Sequence, residues 1–384
     1  MHPESGANPM IHHPAASISP ITFPILGLAG ALCAGTAWAQ FGTVALDTSL
    51  ADAAAKVEVA VSKNAQGAAL GYCEGPSVDA AGNVFFTEQT SDNANRILKL
   101  DAQGQLTVFA SGFQSNGTEF DAQGRLVVAQ KDAVVRYDAA GTRTPLTGAA
   151  DGLAGVATND LTIGSSGAMF FSSWAESVYY RSSAGAVTKI PGFSTANGLE
   201  WIEEKKKLYV SQDGIEQVWA YDVADDGRLS NGVLFASLTE PDGITADEKG
   251  NLYVAGWNDG KIMAFDAAGQ SLGSITVKSA TASDNNQNGN TSNLVFGGPD
   301  GKTLFITGDG GLYKVKLKVA GRKRPGATGI GLPRSRTFNA TLGAYPSASE
   351  PAAAHDLAGR ALADRIPGGR KPAAVRITTA PLSR

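Results

Sequence analysis

Short runs of alternating apolar and polar residues fill the middle of the chain, and they come in fours. From Glu74 the sequence reads "EGPSVDAAGNVFFTE": an apolar run, an Asp-x-x-Gly turn and a second apolar run. The same order returns in "NGTEFDAQGRLVVAQ" from Asn116, "NDLTIGSSGAMFFSS" from Asn159 and "NGLEWIEEKKKLYVSQ" from Asn197. It returns twice more, in "DGITADEKGNLYVAG" from Asp242 and "NLVFGGPDGKTLFITG" from Asn293. These starts lie 38 to 51 residues apart. Two further runs follow each of the first five, as in "RILKLDAQGQLTVFAS" from Arg96. Period-two alternation bounded by Gly, Asn and Asp predicts strands, and no helical periodicity is sustained between them. Four strands per repeat predict an all-β, six-bladed β-propeller of four-stranded antiparallel blades. The sixth repeat stops at its third strand, "GLYKVKLKV", which would leave an open edge. The strand-like "AKVEVAV" (Ala55–Val61) ahead of blade one is suited to fill it, so the last blade is expected to close with the N-terminal strand.

Composition divides the 384 residues into three parts. Residues 1–39 are an apolar leader ending in Ala37-Trp38-Ala39, which predicts a signal peptide cleaved after Ala39 and a periplasmic or secreted protein. The leader carries no Lys or Arg, whether initiation is at Met1 or Met10. Residues 40–319 form the propeller domain. Residues 320–384, with 11 Lys/Arg against 3 Asp/Glu, are expected to be a disordered basic tail, and ending the chain after Val319 to leave fold and activity intact. The whole chain has a net charge of −4, so the tail's +8 and the leader's −1 leave −11 on residues 40–319. An acidic domain is a poor nucleic-acid binder. After cleavage no membrane span is expected, and Cys73 is the one thiol left, read as a buried core residue. Oligomeric state is left open.

In a propeller the innermost strand of each blade runs along the central channel, so the residues just before those strands converge on one mouth. Here they are Glu74, Asn116, Asn159, Asn197, Asp242 and Asn293. In five of the six a glycine follows eight residues later (Gly82, Gly124, Gly167, Gly250 and Gly301), which matches the registers. Asn-Gly and Asp-Gly are also ordinary turn pairs, so Asn116, Asn197 or Asp242 taken alone reads as a turn, whereas Glu74 before Gly-Pro and Asn159 before Asp160 fit a turn less well. All six together read as a hard-cation site. Two carboxylates and several amide oxygens suit Ca²⁺ first, with Mg²⁺, Mn²⁺ and Zn²⁺ left open. All four histidines (His2, His12, His13, His355) fall outside the propeller, which excludes a Ser-His-Asp triad and a Cys-His pair from it. Loops between second and third strands open on the same mouth and bring Glu88, Gln130, Trp174, Gln212, Trp257 and Asn258. Trp174 and Trp257 either pack against a substrate ring or seal neighbouring blades.

The motifs "EGPSVD", "TNDL", "ANGLEW", "PDGITADEKGNLYVAGW" and "FGGPDGKTLFIT" resemble, in that order, the gluconolactonase/regucalcin (senescence-marker-protein) family of six-bladed propellers. That family includes diisopropyl-fluorophosphatase-like phosphotriesterases. The resemblance runs from about Gly71 to Leu317. It implies one divalent cation held by Glu74, Asn197 and Asp242, with Asn159 as a further ligand or substrate contact. It also implies lactone hydrolysis with Asp242 as general base. Asn116, Asn159, Trp174, Gln212, Trp257 and Asn293 then stand as the substrate-facing set. Many members carry Arg or another polar residue two positions before the NDL asparagine, where this chain has Ala157, which favours a less polar lactone or another ester as the small-molecule partner. The alternatives are a phosphotriesterase or arylesterase on the same metal, or a non-enzymatic binding propeller with a structural cation.

Overall fold

The computed structural model describes residues 41–90, 95–174, 177–280 and 289–326. The signal-peptide reading falls outside them, as does the tail from residue 327. No helix among the described residues is long and apolar enough to cross a membrane.

Six antiparallel sheets form the blades of a β-propeller. Their innermost strands are Tyr72–Val78, Ser115–Phe120, Thr158–Ile163, Ala196–Ile202, Pro241–Ala246 and Thr291–Gly297. The hairpins follow from the Asp-x-x-Gly turns. Asp79 Oδ1, for instance, accepts the N–H groups of Ala81 and Asn83, both at 2.9 Å, and Gly82 takes the left-handed φ of +85° that the turn requires. Closure is as the sequence predicts: Val57–Val61 pairs antiparallel with Gly311–Lys316 as the outer strand of blade six. The N-terminal chain does more than that. Gly42–Leu46 pairs with Ser271–Val277 and makes blade five five-stranded.

Apolar side chains pack chiefly between blades, in a separate cluster at each of the six interfaces. Phe85, Phe120 and Tyr137 join blades one and two, while Tyr253, Phe296 and Tyr313 join five and six. Cys73 is buried between blades six and one, and burial pushes its thiol well up, as expected of an inert core cysteine.

Composition assigns residues 320–326 to the tail, yet they pack onto the propeller. The Ala320 carbonyl accepts Glu248 N–H, Gly321 N–H donates to Gly301 O, and Arg322 N–H donates to Ala246 O. The segment reaches Phe120, against which the backbone of Gly326 lies too closely to admit a Cβ. Arg322 pairs with Glu200, and Arg324 bridges Glu200 and Glu119 (Nη1 to Oε1 2.8 Å) while donating to Thr245 Oγ1 at 3.1 Å. Glu119, Glu200 and Thr245 sit near the ends of innermost strands, so the two arginines occupy the end of the channel opposite the predicted site. Both glutamates are buried, and burial alone would lower the Arg324 pKa. The charges of Glu200 and Glu119 outweigh it and hold the guanidinium above its ordinary value. The domain's packed chain therefore runs past Val319.

Candidate functional site

Each innermost strand carries a β-bulge close to its start, where two residues face one on the neighbouring strand. A bulge bends the strand and re-aims its side chains. The Asn-Gly and Asp-Gly pairs are these bulges, not turns. At or just before the bulge stand Glu74 in blade one, which pairs with Thr87 one residue ahead of the bulge of Gly75 and Pro76, and Asn116, Asn159, Asn197 and Asp242, the first bulge residues of blades two to five. Glycine follows in four of them because adjacent bulges touch around the axis. A Cβ on Gly198 would stand 2.7 Å from Gly243 Cα, and one on Gly117 would stand 2.8 Å from Asp160 Cα.

Blade six differs from the sequence reading. Thr291 pairs with Gly308 and Leu294 with Ile306, so Ser292 and Asn293 form the bulge and Asn293 takes the second position, in line with Asp160. Ser292 Oγ bonds to the Cys73 carbonyl (2.7 Å) and so ties blade six to blade one. Asn293 turns inward, where its Nδ2 donates to Asp160 Oδ2 at 3.3 Å and its amide favours the charged form of Glu74.

Glu74 and Asp242 are both buried and raise each other's charging cost. Burial lifts Glu74 to about 8; the Gly75 N–H (2.9 Å to Oε2) opposes this, and the charge of Asp160 adds to it. Burial lifts Asp242 well above the carboxylate range, with the charges of Glu74 and Asp160 adding further. Asp160 is lifted by burial to about 6 despite the N–H groups of Leu161 (2.9 Å) and Leu199 (3.3 Å). Among the described residues none of these three carboxylates forms an ion pair with Lys or Arg. The buried oxygens Asn116 Oδ1, Asn197 Oδ1 and Asp242 Oδ1 have no hydrogen-bond partner. Unpartnered buried oxygens beside unpaired buried carboxylates cost several kcal/mol unless a cation or protons answer them. No three His, Cys, Asp or Glu side chains group as a metal site among the described residues. Two carboxylates completed by amide oxygens are the donor set of a hard cation, and the residues present fit one.

Of the expected set, Glu74, Asn197 and Asp242 come together, since Asn197 bonds to Asp242, whose pKa it lowers. Asn116 contributes its unpartnered oxygen, and Asn159 is half-buried at the matching bulge. Gln212 is committed to the backbone of its own blade. It is buried, and its Oε1 accepts Ser194 N–H at 2.8 Å, bracing the loop ahead of blade four. Glu88 and Gln130 are likewise occupied, with Arg96 (2.8 Å) and with Ser115, Tyr137 and Arg143. Trp174 and Trp257 are exposed on the loops of the site face, so they do not seal blades.

Two residues escaped the sequence reading. Asp160 was signalled by "NDL", where the asparagine drew the assignment. Tyr72, which donates to Glu74 Oε1 at 3.2 Å, had no signal beyond lying two residues earlier on the same strand, where alternation returns a side chain to the same face.

Residues 72–309, well over half of the chain, match the sequence profile of the SMP-30/Gluconolactonase/LRE-like region. A pentonolactonase of Haloferax volcanii is 28% identical over 133 residues, 33% of this chain and 43% of that one. The chain spans less than half the length of the curated relatives it matches. Among solved structures, a gluconolactonase of Xanthomonas campestris superposes with a TM-score of 0.58 at 26% identity, covering 68% of this chain and 90% of that one. A regucalcin of Agrobacterium tumefaciens, described as calcium-binding, gives 0.59 at 20% identity, covering 70% and 95%; at that identity it shows the fold alone.

Proposed function

The chain belongs to the SMP-30/gluconolactonase/LRE-like family, and from that membership and the site we propose that it is a lactone hydrolase whose channel mouth holds one divalent cation. The observation that carries this reading is the meeting of Glu74 and Asp242, both buried and without an ion-pair partner among the described residues, with unpartnered amide oxygens. Glu74, Asn197 and Asp242 would hold the ion, with Asn116 or Asn159 beside them. Ca²⁺ suits the donors first; Mg²⁺, Mn²⁺ and Zn²⁺ are the competitors in the test below. When bound, such a cation supplies Lewis-acid polarisation of an ester carbonyl.

The remaining work falls to side chains. Tyr72 O–H and Gly75 N–H fix the two oxygens of Glu74. Asp242 is held differently: its Oδ1 has no hydrogen-bond partner, and burial raises its pKa and with it its basicity, which suits it to accept the proton of an attacking water. Its backbone carbonyl is clamped by Ser211 Oγ at 2.7 Å, which sets the bulge that aims the side chain.

The test is proton release from five- and six-membered lactones by protein starting at Gln40, with EDTA and then with each ion restored. Hydrolysis abolished by EDTA and rescued by one ion is the expected result. Cation binding without turnover on any lactone would overturn the reading in favour of another ester class or a binding propeller.

A further inference from the structure

The exposed apolar residues of the site face are anchored in a way that points outward to a ligand. Most large apolar side chains are buried, but Trp174 is 56% exposed, Ile215 41% and Trp257 38%. All three lie on loops between second and third strands, of blades three, four and five, so they flank the bulges that carry Asn197 and Asp242.

Neither indole is loose. Trp174 Nε1 donates to Asp213 Oδ2 at 2.9 Å. Asp213 opens the short turn that carries Ile215, and its charge reaches Asp242. Trp257 directs its ring N–H at the Tyr72 hydroxyl, which in turn donates to Glu74 Oε1 at 3.2 Å. Each ring's one polar atom is thus already engaged with a residue that contacts or faces the reacting carboxylates. What remains free is carbon surface. The backbone N–H of Trp174 bonds to the Ala157 carbonyl (3.4 Å), so the chain position bonded to the Trp174 backbone carries a methyl group and no side-chain donor to a hydroxyl. An exposed indole face whose ring N–H is already engaged offers carbon surface that packs against hydrocarbon and gives a hydroxyl no hydrogen-bond partner.

Building on the hydrolase reading above, we propose that the substrate is a lactone bearing an apolar alkyl or aryl substituent that lies against Trp174 and Trp257, and not a polyhydroxylated sugar lactone. The substituent hangs outside the reacting ring, so it contributes binding equally to ground and transition states and is read mainly in KM.

The experiment compares kcat/KM for a series of γ-lactones with side chains of one to eight carbons against D-glucono-δ-lactone. Wild type is set beside Trp174→Ala, Trp257→Ala and the conservative Trp→Phe variants. The expected result is a gain of up to about fourfold per added methylene, carried by KM and levelling off once the chain outruns the indoles. Either alanine variant should flatten that slope, and phenylalanine should restore most of it. A sugar lactone preferred over every alkyl lactone, or a slope unchanged in both alanine variants, overturns the proposal. Calorimetric binding of the matching γ-lactams, which are not turned over, separates the two readings. Chain-length-dependent lactam affinity without lactone hydrolysis sinks the hydrolase and keeps the apolar ligand. Hydrolysis with no chain-length dependence in either series does the reverse.

Discussion

Asp242→Asn is expected to lower kcat about a thousandfold, within the range for loss of a general base, while the metal-free protein melts no lower than wild type. The two halves of that expectation come from one observation. Asp242 is buried beside Glu74 and Asp160 with an unpartnered oxygen, so its charge is costly to the fold and available to chemistry. The amide keeps the shape and removes the charge, and therefore removes the base and relieves the repulsion together. Stopped-flow proton release and thermal melting of the same preparation check both. Near-normal turnover with cation still bound would place the base elsewhere.

The second large effect is at the other end of the channel. Arg324→Ala is expected to cost about 3–5 kcal/mol, the usual penalty for removing one partner of a buried ion pair. It leaves the buried Glu119 without an ion-pair partner and Glu200 with Arg322 alone, beside a hole where a guanidinium stood. For a domain of this size that corresponds to a fall in Tm of roughly 10 °C. A chain ended after Val319 should lose at least as much, since it forfeits Arg322 and the backbone bonds of residues 320–322 as well. Neutralising Arg324 and Glu119 together, as Arg324→Met with Glu119→Gln, should recover part of the loss, because Glu200 keeps Arg322 as its partner and no charge is then stranded. Melting curves that coincide with wild type for both Arg324→Ala and the shortened chain would show that the arginines contribute nothing.

That strap is the clearest case of structure invisible in sequence. "AGRKRPG" has the composition of a linker, and nothing local distinguishes an arginine with buried partners from one in water. The partners are equally unannounced: Glu119 in "GTEF" and Glu200 in "GLEW" read as ordinary polar positions in alternating strands. The six-blade architecture was legible because every repeat restates it and errors in one blade are corrected by the others. The N-terminal closure was legible because an open edge demands a partner. The fifth strand of blade five was not, since blade five was already complete.

At the site, Glu74, Asn197 and Asp242 were readable because a shared register implies a shared position in the ring. That logic slipped by one residue in blades one and six. Gly301 follows Asn293 at the common interval, yet the bulge begins at Ser292, and bulge position depends on pairing across strands that the sequence does not show. Local chemistry also misled at the Asn-Gly pairs: a glycine needed because a neighbouring blade touches it looks the same as one needed for a turn.

Cation binding at the channel mouth is expected to be coupled to proton release from Glu74. Glu74 stands at about 8 against 4.5 for an ordinary glutamate, so the metal-free fold prefers it protonated. That preference stabilises the fold fully below about pH 4.5 and is lost as pH rises through about 8. A bound cation needs the charged form and must displace the proton below that pH. Calorimetric titration of metal-free protein with Ca²⁺ at pH 6 and pH 8.5, in buffers of different ionisation heat, reads both quantities. One site is expected, tighter at pH 8.5, with more protons released per ion at pH 6 and binding abolished in Glu74→Gln. Binding of equal strength and no proton release at both pH values, or full binding by Glu74→Gln, would contradict it.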